Sequence, residues 1–139
     1  MTNIEIKTVQ ETDPAAILAL YRQNGWWEPG ADPRHLEQVS AIVRSTFRFV
    51  IALDGERIIG MGRAISDGVS DAYIQDVTVH DDYRRQGIGR AIVLKLIAEL
   101  KASGIGWIGL ISEPGYESFY QSMGFEIMPN YTPFLLKQD

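Results

Sequence analysis

The chemistry in this chain concentrates in Gln75-Asp76-Val77-Thr78-Val79-His80-Asp81-Asp82-Tyr83-Arg84-Arg85-Gln86-Gly87-Ile88-Gly89-Arg90-Ala91. A stretch rich in Ile, Val and Thr reads as a strand that enters a tight loop, and two glycines open the following helix. The first N–H groups of a helix have no intrahelical partner, and the helix dipole favours negative charge there. That combination is an anion cradle. Glycines at 87 and 89 let a phosphate come close to the backbone, and Arg84, Arg85 and Arg90 surround it with positive charge. Residues 84–101 carry a balance of +4 in a chain whose net charge is −5, which leaves −9 elsewhere. A positive island in an acidic chain suits a phosphate-bearing ligand. The plainer alternative is a solvated basic helix behind a Gly-rich turn.

Two familiar phosphate loops do not fit. A Walker loop needs Gly-Lys-Ser/Thr, and nothing of that kind follows Gly89. A dinucleotide fingerprint needs a third glycine three residues after the second, where Ile92 stands. It also belongs after the first strand of a βαβ unit, whereas this loop follows the fourth strand.

The elements that must position the loop are legible on both sides. Ile4 to Lys7 alternates as a first strand. Asp13-Pro14 and Asp32-Pro33 are paired helix starts, with Asp as N-cap and Pro first in the helix. The helices run to about Asn24-Gly25 and Ser45. Phe49 to Leu53 and Arg57 to Ile65 read as strands joined at Asp54-Gly55, and Ala72 to His80 as a fourth. Ile88, Ile92, Leu96 and Leu100 recur every four residues in a helix over 88–102, closed by Gly104. Trp107 to Ile111 reads as a buried strand and Gly115 to Met123 as a short helix. Phe125 to Met128 and Phe134 to Lys137 suggest a final hairpin. The order β-α-α-β-β-β-α-β-α-β-β predicts an α+β fold.

The pattern Arg84-x-x-Gly87-x-Gly89 resembles the acetyl-CoA loop of the GCN5-related N-acetyltransferase (GNAT) superfamily. The flanks match too, from Asp76-Val77-Thr78-Val79 to Tyr83-Arg84-Arg85-Gln86-Gly87-Ile88-Gly89-Arg90-Ala91. Downstream, Phe119-Tyr120-Gln121-Ser122-Met123-Gly124-Phe125 resembles the family's Tyr-x-x-x-Gly-Phe segment at a typical spacing. The resemblance covers nearly the whole chain. It implies a GNAT fold, with a mixed, mostly antiparallel sheet of about six to seven strands and about four helices.

It also implies acetyl-CoA as cosubstrate and no metal. The pyrophosphate would sit on the backbone of Arg85, Gln86, Gly87, Ile88, Gly89 and Arg90, behind Arg84. The pantetheine arm would pair with the fourth strand along Val77, Thr78 and Val79. The reaction is direct attack of an amine on the thioester, and the absence of cysteine agrees with it. Tyr120 matches the family tyrosine that donates a proton to the leaving sulfur; the alternative is a core aromatic beside Phe119. Asp76 is the candidate base, against a purely structural hydrogen-bonding role, with Gln75 where some relatives carry Glu.

The acceptor should lie between the first two helices and the sheet. Tyr21, Trp26, Trp27 and Tyr73 are its candidate walls, since aromatic faces attract cations. One of the adjacent tryptophans lines that pocket, or both belong to a packed loop. Residues 10–40 balance at −3, a mild preference for a cationic amine. The expected activity is N-acetylation of a small-molecule primary amine. A protein or peptide N-acetyltransferase and a non-catalytic acyl-CoA-binding module are the alternatives.

The 139 residues suit one domain over 1–139, and the composition is that of an ordinary globular chain. Zero cysteines exclude disulfides and thiolate metal sites, and two His make a catalytic zinc unexpected. The absence of cysteine and of a signal-peptide pattern gives a cytoplasmic location as the expectation. No apolar run is long enough for a membrane span. The acidic balance argues against nucleic acid as a partner. The resemblance adds a homodimer as a frequent arrangement.

Overall fold

A computed structural model of the chain describes residues 3–30 and 32–138. In chain order they form β1 (Ile4–Val9), α1 (Pro14–Gln23), α2 (Pro33–Ser45), β2 (Arg48–Asp54), β3 (Arg57–Ser66) and β4 (Asp71–Val79). A 3₁₀ turn over Asp81–Tyr83 leads to α3 (Ile88–Ala102), β5 (Trp107–Leu110) and α4 (Glu117–Gln121). The sheet order is β1-β2-β3-β4-β5, antiparallel except for the parallel β4–β5 pair.

Local chemistry sets the ends. Asp13 accepts the Ala15 N–H at 3.0 Å and Asp32 the Arg34 N–H at 2.9 Å, each with proline behind it as first helical residue. At the end of α3, Gly104 at φ 81° lets the Ile105 N–H reach the Leu100 carbonyl at 3.1 Å.

The sheet is covered on both faces, and β2 shows how. Its Val50 and Ala52 join the buried side of α3 (Ile88, Ile92, Val93, Leu96, Leu100). Its Phe49, Ile51 and Leu53 point the other way, into Ile17, Leu18 and Leu20 of α1 and Val39 and Val43 of α2. Each large side chain buried this way contributes about 1.5–3 kcal/mol. On β3, a Cβ at Gly62 would lie 2.7 Å from Ile92 Cγ2, so glycine lets α3 seat directly on the strand.

The expected sixth and seventh strands are not formed among the described residues, and the sheet has five. The Phe125 N–H is committed to the Tyr120 carbonyl at 3.2 Å. Beyond it, Pro129 and Pro133 donate no ladder bond and Asn130 is left-handed at φ 69°. Phe134, Leu135 and Leu136 remain 91%, 94% and 81% exposed. No helix among the described residues is long and apolar enough to cross a membrane.

Candidate active site

The site begins where β4 loses its partners. Its parallel pairing with β5 runs from Asp71↔Trp107 to Ile74↔Leu110 and goes no further. On its other side, Met61↔Thr78 gives way to Arg63↔Gln75, so Asp76 and Val77 together oppose Gly62. This is a β-bulge, with Asp76 left-handed at φ 58°. Asp tolerates that conformation better than most residues. The bulge bends β4, and the edge facing β5 beyond Ile74 is left without a strand partner.

Asp76 is held from behind. Its Oδ2 accepts from Arg63 Nε at 2.7 Å and from the Tyr21 hydroxyl at 2.9 Å. Arg63 also donates to Thr46 Oγ1 at 3.3 Å. Burial first, and then the Asp76 charge, push the Tyr21 phenol far above its ordinary pKa. Tyr21 is 2% exposed and stacks on Trp27 with ring centres 5.2 Å apart. Neither Tyr21 nor Trp27 lines the groove described below. The anticipated pocket wall is therefore an internal strut that fixes the bulge.

The C-terminal end of α1 clamps the same strand. Asn24 Nδ2 donates to Thr78 Oγ1 at 2.7 Å. Gln23 Nε2 donates to the Val79 carbonyl at 3.2 Å, and its Oε1 accepts the Asp81 N–H at 3.0 Å. Sequence reasoning missed these two residues, whose only signal was their place beside a helix-ending glycine.

The loop follows. His80 Nδ1 accepts the Asp82 N–H at 3.1 Å and so caps the 3₁₀ turn. Arg84 Nε lies 3.0 Å from Asp81 Oδ1. Arg85 and Gly87 are left-handed at φ 64° and 78°, which coils the backbone ahead of α3. Gly87 is the N-cap and no side chain caps the helix, so its first N–H groups stay open to a ligand. A Cβ at Gly89 would meet nothing nearer than 3.7 Å, where Phe119 and Val79 stand. That glycine fills no packing need of the protein; it leaves room for an incoming group. Arg90 donates to Ser122 Oγ at 2.9 Å, tying α3 to the end of α4.

Tyr120 stands on α4 and packs its ring against Phe119. Gly124 at φ 98° ends that helix in a Schellman turn, with Phe125 N–H on the Tyr120 carbonyl and Gly124 N–H on that of Gln121. The Phe125 ring packs edge-on against Tyr120 at 5.8 Å. The spacing Tyr-x-x-x-Gly-Phe is thus a helix stop that orients its own tyrosine. Burial, with the charges of Tyr116 and Glu113, raises the Tyr120 pKa, so the phenol stays a proton donor at neutral pH.

The bulged strand, the loop and α4 meet at one groove of about 1310 Å³. Arg84, Arg85, Gly87, Ile88, Gly89 and Arg90 line it, as do Asp76, Val77, Thr78, Val79, Tyr120, Trp26 and Tyr73. Gln86 does not. Glu113, Tyr116 and Phe119 line it without having been anticipated. The volume exceeds the usual range for a single small ligand, about 300–1,000 Å³.

The acetyltransferase (GNAT) domain model matches residues 45–127. The chain belongs to the GNAT family of acetyltransferases. Among solved structures, this GNAT chain is similar to a GNAT family acetyltransferase from Streptococcus pneumoniae, 28% identical with TM-score 0.82 over 98% of both chains. It also shares its fold with AAC(6′)-Iy, 17% identical with TM-score 0.76 over 99% and 100% of the two chains. The structure of AAC(6′)-Iy holds the bisubstrate analogue CoA-S-monomethyl-acetylneamine.

By sequence it is 43% identical over 81 residues to GCN5-related N-acetyltransferase 2, chloroplastic, of Arabidopsis thaliana, which is 55% of this chain and 31% of that protein. It is 36% identical over 74 residues to serotonin N-acetyltransferase 2, chloroplastic, of Oryza sativa subsp. japonica, 53% of this chain and 37% of that one. Histone acetyltransferase TAP1 of Glycine max is 43% identical over 74 residues, 53% and 32% of the two chains. The matches thus span about a third of these relatives' own length. The cytoplasmic expectation is overturned by the chloroplastic names of two of them. Lack of cysteine speaks to redox chemistry and carries no address.

Proposed function

We propose that this GNAT chain is an acetyl-CoA-dependent N-acetyltransferase for a small-molecule primary amine, working by direct attack in a ternary complex. One observation carries the reading. A single groove is lined by the uncapped start of α3, the unpaired edge of β4, Tyr120 and the aromatic residues Trp26 and Tyr73.

The N–H groups around Gly87 and Gly89 hold the diphosphate, with Arg84, Arg85 and Arg90 nearby. The backbone of Val77 to Val79 takes the pantetheine arm as an added strand. The amine nitrogen then attacks the thioester carbonyl. A C–N bond forms, the C–S bond breaks, and its electron pair leaves on sulfur. Tyr120 donates its proton to that sulfur, one of the amine's protons restores the phenol by way of water, and the other passes to water or a carboxylate in the groove.

Two observations support a small acceptor. Trp26 Nε1 donates to Glu113 at 3.2 Å, a bond between two groove-lining residues that restricts the room for an acceptor. The Oryza sativa relative is named for serotonin, a free amine. The name of the Glycine max relative favours a second reading, a protein acceptor. Exposed Phe134, Leu135 and Leu136 support the homodimer, which sedimentation would test.

The test is thiol release from acetyl-CoA with a panel of primary amines and lysine-bearing peptides. The reading expects CoA release with free amines above the peptide rate. Release with peptides alone would favour the second reading. Tight acetyl-CoA binding without release for any acceptor would leave a binding module.

A further inference from the structure

Two carboxylates line the groove, Asp76 and Glu113. Asp76 already faces the Arg63 guanidinium at 2.7 Å. Glu113 has no such partner: among the described residues it takes part in no ion pair. It stands just past the end of β5, directly before the turn at Pro114-Gly115, and it is exposed to solvent. Its one side-chain bond is the 3.2 Å contact accepted from Trp26 Nε1, between residues 87 apart in sequence. That contact sets the carboxylate at the polar edge of the indole, which leaves the ring's faces free of it. Its charge also reaches Tyr120, where it helps keep the phenol protonated.

The groove therefore carries both signs of charge on different elements. Arg84, Arg85 and Arg90 line it around the start of α3, where a diphosphate fits. Glu113, bonded to Trp26, lines it past the end of β5 without an ion-pair partner among the described residues. An incoming ammonium group is repelled from the first and drawn to the second. Trp26 and Tyr73, 37% and 46% exposed, offer faces for an apolar body and for the cation itself.

We infer that Glu113 is the acceptor-binding carboxylate of this enzyme, which pairs with the ammonium of a cationic primary amine whose aryl or alkyl body lies against Trp26 and Tyr73. The inference rests on the N-acetyltransferase reading and adds the residue that selects the acceptor. Glu113 holds the amine in its charged form at the groove; the nitrogen gives up a proton before it attacks the thioester.

The test compares wild type, Glu113→Gln, Glu113→Asp and Trp26→Phe with two acceptors. One is 2-phenylethylamine, cationic at neutral pH; the other is O-benzylhydroxylamine, uncharged there. Glu113→Gln is expected to raise KM for 2-phenylethylamine by about three- to fivefold, and KM for O-benzylhydroxylamine and acetyl-CoA by less than about twofold. Glu113→Asp should recover part of the loss. Trp26→Phe keeps an aromatic face but removes the donor to Glu113 and part of the wall, and should raise KM for both acceptors alike, by less than about threefold.

An unchanged KM for 2-phenylethylamine in Glu113→Gln would overturn the inference. So would an equal loss for both acceptors, or a Trp26→Phe variant that reproduces Glu113→Gln, since Glu113 would then be a loop anchor. Calorimetric titration of 2-phenylethylamine into the CoA-loaded protein separates this from the acetyltransferase reading. Weaker binding to Glu113→Gln without turnover in wild type would uphold the subsite and refute the enzyme; equal binding to both proteins would refute the subsite.

Discussion

Arg63 Nε lies 2.7 Å from Asp76 Oδ2, at the left-handed residue of the β4 bulge. The pair joins two neighbouring strands across their register slip and keeps β4 turned away from β5. Asp76→Ala would lose both bonds to Oδ2 and place a Cβ-bearing residue without a polar side chain at φ 58°. A destabilisation of about 2–3 kcal/mol is expected in urea unfolding. Asp76→Asn should cost less, because Asn tolerates the same backbone and can still bond. Equal stability of Asp76→Ala and wild type would contradict the anchoring role.

Tyr21 gives an alkaline signature. Its folded pKa is raised, so the folded chain keeps a proton that the unfolded chain releases above about pH 10. The unfolded state is then favoured as pH rises, and this group lowers stability by up to about 1.4 kcal/mol per pH unit. Tyr21→Phe should cost about 1–2 kcal/mol near neutrality. It should also show a shallower alkaline decline than wild type when both are unfolded across that range. Parallel declines would rule out the strut as the source.

Tyr120 should leave its mark on turnover. Its raised pKa keeps the donor protonated past the ordinary tyrosine range. The alkaline limb of kcat that belongs to it is therefore expected above about pH 10. Tyr120→Phe should lower kcat by about ten- to a hundredfold, with acetyl-CoA affinity held within about twofold. A kcat equal to wild type would dismiss the donor.

Gly89 separates folding from binding. Nothing lies within 3.7 Å of its Cβ position, and alanine is the better helix former, so Gly89→Ala should keep or raise thermal stability. On the proposed reading the methyl enters the space that takes the diphosphate, so acetyl-CoA affinity should fall by about tenfold or more. Unchanged affinity would mean that the cradle lies elsewhere.

Much of this was legible in the chain itself. Asp13-Pro14, Asp32-Pro33 and Asp54-Gly55 mark α1, α2 and the β2–β3 turn because capping and turn chemistry are local. The four-residue apolar spacing gives α3 its buried face for the same reason. The bulge at Asp76 was not legible, since alternation along a strand does not reveal an inserted residue. Nor was the meeting of Tyr21 with Asp76, which are 55 positions apart. The last hairpin was misread because apolar pairs such as Phe134-Leu135 suggest strands only if a partner edge receives them. Glu113 carried no signal at all, as one acid in a loop looks like any other until the Trp26 N–H is found bonded to it.

The most direct test is to count products in one reaction containing wild-type protein, acetyl-CoA and a saturating primary amine. CoA thiol is read by colour and the acetylated amine by mass. One amide per free CoA is predicted, with formation sharply slowed in Tyr120→Phe. Acetyl-CoA that stabilises the protein by about 2.7 kcal/mol at a hundredfold its Kd, yet yields no amide from any amine, would contradict the account.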